Sequence, residues 1–172
     1  MKYTRTIPLP QFVARYQIDK LFFILTATFL LPFLVHLIPW TDPTPLGAVW
    51  LPIFYAPLVA VFFFRAHVAI LAAVMAPTLN MLLVGKPLPP MAKMLTVELI
   101  IFVLFSLGLS KIKKGFWAAG AVSYVLAKGI STYLLKMSGS GLGDALTTAV
   151  PGILLLLILN IGIALYSHKN LS

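Results

Sequence analysis

Few residues in this chain can do chemistry. Only four of its 172 residues are acidic, and one of them, Glu98, stands inside the apolar run KPLPPMAKMLTVELIIFVLFSLGLSK, residues 86–111. A carboxylate in a segment that crosses hydrocarbon is expensive and by default marks a functional site. Lys128 stands inside the next apolar run. At a rise of about 1.5 Å per residue, each charge lies roughly 10 Å in from the end of its segment that the charge distribution, below, marks as outer. Opposite charges at matching depth on neighbouring helices pair, which is how such groups are tolerated in hydrocarbon.

Two roles fit that pair. It holds two helices in register, or both groups face an outward cavity and contact a solute. The second is preferred because polar residues continue along the same faces. Tyr124, Lys128 and Ser131 or Thr132 recur at spacings of three and four, which makes one stripe on a helix, and Met91, Met94, Glu98 and Phe102 make another. Lys93 caps the outer turn near them, and Asn80 lies four residues from the outer end of the preceding run. A proline-rich loop brings Trp40 and Asp42 to the same side. Mostly apolar walls with a few placed polar groups are the composition of a solute pocket. Trp40 reads equally well as part of an interfacial aromatic belt, and Asp42 as a solvated loop charge. Asn160, toward the other end of its segment, reads as interhelical glue.

Catalysis finds little support. His36, His67 and His168 are scattered at opposite boundaries, so no histidine metal site is expected. There is no G-x-S-x-G nucleophile motif and no phosphate loop, so the chain does not bind and spend ATP by that route. No cysteine is present, which excludes disulfides and thiolate metal sites. The expectation is a protein that is not an enzyme and needs no cofactor of its own.

The elements that must position these residues follow from composition. The chain is 60% hydrophobic and 10% charged, with a mean hydropathy of +1.01. A soluble domain runs nearer half apolar and a quarter charged, so lipid is the expected solvent. The runs are apolar all round and lack the alternation of a membrane barrel, so helices are expected. At roughly 20 residues per crossing, the chain reads as an all-α polytopic membrane protein. It forms a single domain of six spans, at 21–38, 48–64, 66–84, 91–109, 116–135 and 145–166. Residues 1–20 read as a basic interfacial arm, helical in part from Gln11, with no cleaved leader. The formal charge of +9 would suggest nucleic acid in a soluble protein. Here the basic residues cluster at segment ends, nine on one side and four on the other, so orientation explains them and no nucleic-acid partner is expected. The richer side is cytoplasmic, and both termini are then inside. Trp40 and Trp50 fall at the outer boundary, Trp117 and Tyr166 at the inner one.

In size and topology the chain resembles the substrate-binding S components of energy-coupling factor (ECF) transporters. The most specific stretch is APTLNMLLVGKPLPPMAKMLTVELIIFVLFSLGL, residues 76–109: a helix closed by glycine, a proline-rich outer loop, then a helix with a glutamate in its outer half. The resemblance implies a cell-membrane protein that captures a vitamin or vitamin precursor in an outward pocket. It implies pocket roles for Asn80, Lys93, Glu98, Tyr124 and Lys128, beside Thr132, Trp40 and Asp42. It also implies a transmembrane coupling subunit and two cytoplasmic ATPases as partners, with ATP used by those subunits. The alanine pair that the family often carries on its first helix is missing, since Ala27 is followed four later by Leu31. Ala69 with Ala73, and Ala72 with Ala76, offer small-residue faces for docking instead. The competing expectations are a six-helix scaffold that binds no solute, and a membrane-embedded enzyme acting on lipid-linked substrates.

Overall fold

The computed structural model describes residues 10–112, 116–135 and 141–171. Every regular element among them is helical. These are α1 (Pro10–His36), α2 (Leu46–Trp50), α3 (Pro52–Phe63), α4 (Ala66–Val84), α5 (Pro89–Leu109), a 3₁₀ turn (Phe116–Ala118), α6 (Ala119–Leu135), α7 (Leu142–Thr148) and α8 (Val150–Leu171). Residues 1–9 of the expected arm, Lys113, Lys114 and the start of the glycine-rich loop at 136–140 lie outside the described residues.

Local chemistry explains most of the boundaries. α4 ends at Gly85, whose φ of 74° places it in the left-handed region, and its N–H closes on the Met81 carbonyl at 3.0 Å. That is a helix stop for which glycine has no Cβ penalty. α5 opens with Pro89 and Pro90 in its first turn, where a missing N–H costs nothing. The arm proves not to be separate over residues 10–20, because α1 runs unbroken from Pro10 to His36. Pro10 starts it, no glycine interrupts it, and only Pro32 lies inside.

Two of the expected spans are broken helices. Pro52 cannot donate the next helical hydrogen bond and pushes its predecessor out of the right-handed region. Leu51, at φ 54°, ψ 39°, turns left-handed to close α2 with its N–H on the Gly47 carbonyl, and α2 gives way to α3. Pro151, in the first turn of α8, has no N–H to continue the helical ladder from α7, and α7 meets α8 at a bend of 60°. The two breaks touch: a Cβ on Gly152 would fall 2.8 Å from the Val49 carbonyl oxygen and 2.6 Å from Leu51 Cγ. Only glycine lets α8 approach the α2–α3 break so closely.

α3 sits at the centre, packed against α1, α4, α5 and α8, while α5 and α6 pack along each other. Ala69, Ala72, Ala73 and Ala76 of α4 are fully buried. This corrects their assignment as an outward docking face: the small side chains let α4 nest among α1, α3 and α5 within the chain. Large apolar side chains instead cover the outside, among them Phe22, Leu82, Leu104 and Ile158. Among the described residues three helical stretches are long and apolar enough to cross a membrane: Leu46–Phe63, Ala66–Val84 and Pro89–Leu109. The α7–α8 pair makes a fourth if it counts as one bent span, and Leu21–His36 is a shorter apolar stretch.

Candidate functional site

The seam between α5 and α6 brings the two charges together. Lys128 Nζ donates to Glu98 Oε2 at 3.3 Å. The environments of the two groups differ. The Glu98 side chain is 1% exposed and that of Lys128 18%. Ser131, on the turn beyond Lys128, has one proton to give, either to the Lys128 carbonyl at 3.1 Å or to the Glu98 carboxylate beside it. So the carboxylate is enclosed by protein, with the Lys128 ammonium as its charged donor. The ammonium, with three N–H groups, makes one side-chain hydrogen bond among the described residues.

An aromatic layer closes the seam beneath the pair. Phe54 of α3 meets Phe102 of α5 and Tyr124 of α6 edge-on, with ring centroids 5.1 Å away in both cases and interplanar angles of 80° and 86°. That geometry sets positive ring edges against negative ring faces. All three rings are buried. Past the aromatic layer, eight residues after Glu98 on α5 and eight before Ser131 on α6, or about 12 Å along each helix, stand Ser106 and Ser123. Both are fully buried, and neither hydroxyl has a hydrogen-bond partner.

The remaining expected site residues are placed elsewhere. Thr132 lies one turn beyond Lys128 on α6 and is half-buried, and Lys93 is exposed on the second turn of α5. Asn80 belongs to a different contact. Its Nδ2 donates to the Ala76 carbonyl at 2.9 Å and to the Thr28 carbonyl of α1 at 3.3 Å, so it stitches α4 to α1. Its Oδ1 is buried without a partner. Trp40 is exposed, and its Nε1–H closes its own loop on the Thr44 carbonyl at 2.7 Å; Asp42 is exposed in the same loop. Asn160 is fully buried and accepts the Gly120 N–H at 2.9 Å, satisfying a first-turn amide of α6 from α8. In hydrocarbon no water would serve that amide.

Sequence reasoning missed Phe54, Ser106 and Ser123. Phe54 is one of 12 phenylalanines, and nothing local marks it as the ring that seats against both helices of the seam. At the outer end, α7 lies beside α6. A Cβ on Gly129, next to Lys128, would be 3.9 Å from Leu142.

Chemically the seam offers one shielded carboxylate, one partly reachable ammonium and an aromatic floor. Among the described residues no group of three or more acidic, histidine or cysteine side chains is placed to hold a metal ion. No protein-family model, curated relative or solved structure matches the chain.

Proposed function

We propose that this chain is a six-span, solute-binding subunit of the cell membrane, of the S-component kind, with both termini in the cytoplasm. It captures a vitamin-like solute at the outer end of the α5–α6 seam and hands it on through a transmembrane coupling subunit and two cytoplasmic ATPases. In this reading α1, the joined α2–α3, α4, α5, α6 and the bent α7–α8 are the six crossings. The chain binds and does not catalyse. The observation that carries the reading is the asymmetric ion pair: an enclosed Glu98 holds a partly exposed Lys128 whose ammonium keeps donors unspent. Intramembrane charges that face a cavity are the common mark of a solute path. Tyr124 and Thr132 flank Lys128 on its stripe, and Lys93 adds positive charge at the entrance. Asn80 stitches α4 to α1, away from this pair, and takes no part in the site.

A second reading has its own support. The enclosure of Glu98, together with the Asn80 and Asn160 stitches, is what a scaffold that uses its polar groups only to fix helix register would show. Mass spectrometry of small molecules released from the purified, detergent-solubilised protein separates the two. A single stoichiometric solute, lost when Lys128 and Glu98 are neutralised together, is the expected result. An empty protein whose tryptophan fluorescence also ignores a vitamin panel would leave the scaffold.

A further inference from the structure

We infer that the solute presents a single carboxylate to Lys128, and that Glu98 serves as the counter-ion and does not contact the solute. This rests on the solute-binding reading above and narrows it to one ligand chemistry. Of the two charges in the seam, only the ammonium is reachable, at 18% exposure against 1% for the carboxylate. Glu98 is already met by Lys128 and shut away from solvent. A ligand cation would have to break that pair, which strips a buried charge of its partner. Lys128 has N–H donors to spare, so the complementary ligand group is an acceptor.

An anionic acceptor makes the stronger bond in a low-dielectric seam. Charge arithmetic then sets the number. Glu98 and Lys128 sum to zero, so a carboxylate leaves the cluster at minus one and a phosphate dianion at minus two, with no arginine among the residues at the seam. Exposed Lys93, five residues or about 7.5 Å outward of Glu98 on α5, offsets one negative charge and not two.

The test compares matched acid and amide pairs on the full-length protein in nanodiscs by saturation-transfer NMR. Nicotinate with nicotinamide and biotin with its primary amide represent solutes arriving from water. Octanoate with octanamide represents a carboxylate arriving from the lipid. Wild type should hold at least one acid about tenfold or more over its amide, the contribution of one buried charge-assisted hydrogen bond; the pair that responds identifies the source. In Glu98→Gln that ratio should rise, because the ligand no longer shares the ammonium. In the doubly neutral Glu98→Gln, Lys128→Met protein, which buries no unpaired charge, it should fall to about one.

Equal binding of acid and amide by wild type overturns the inference and leaves the solute-binding reading standing. So does an acid preference that survives in the double variant, or loss of the acid in a folded Glu98→Gln protein. Binding of no acid and no amide up to millimolar concentration overturns both.

Discussion

Neutralising the seam one charge at a time should destabilise the protein unequally, and neutralising both should not. At 3.3 Å and an effective dielectric of about 20, the Glu98–Lys128 attraction is about 5 kcal/mol. Taking each ion out of water costs several kcal/mol, so the pair roughly breaks even against an apolar pair of similar volume. Removing one partner is different. Lys128→Met leaves a carboxylate with 1% exposure and no countercharge, and should cost about 3–5 kcal/mol. Glu98→Gln leaves the ammonium, which has a flexible four-carbon stem and partial exposure and can snorkel toward the outer boundary. Its cost should be smaller, about 1–3 kcal/mol. The double variant should fall within about 1 kcal/mol of wild type, so the double-mutant cycle should show a coupling of several kcal/mol. Unfolding in mixed micelles of rising SDS fraction, followed by tryptophan fluorescence, reads all four proteins. Additive single effects would refute the reasoning, because they would mean that the two charges do not depend on each other. Equal single effects would refute the argument from unequal burial.

Three further outcomes follow from the packing. Gly152→Ala should destabilise by about 2 kcal/mol or more, because the new methyl meets backbone atoms of Val49 and Trp50 at 2.8 Å that no side-chain rotation can clear; the same unfolding titration measures it. Asn160→Leu should cost about 1–3 kcal/mol by orphaning the Gly120 amide, and hydrogen exchange at the start of α6 should accelerate. Phe54→Ala removes the ring that touches both sides of the seam and should cost about 3–5 kcal/mol, with greater trypsin access at Lys128.

The amino-acid sequence by itself determined the class of the molecule, because hydropathy and helical punctuation act locally. An all-helical chain follows from runs that are apolar on every side. α4 has the expected bounds, Ala66–Val84, and α5 ends at the expected Leu109, since a left-handed glycine and a proline pair act on their own turns whatever surrounds them. The pairing of Glu98 with Lys128 was legible too, because two opposite charges in hydrocarbon have few alternatives. Tertiary structure decided which of the two is enclosed, since that depends on how α3 and α6 close over α5. It also decided that Asn80 turns to α1 and away from the seam, and that the alanine faces of α4 point inward. A small residue on a lipid-soluble helix reads the same in sequence whether it faces another protein or its own bundle, because both contacts reward close approach equally. The breaks at Leu51 and Ala149 fall between these cases. The prolines at 52 and 151 stand in the sequence, but only the approach of Gly152 to the α2–α3 junction shows that the two interruptions meet.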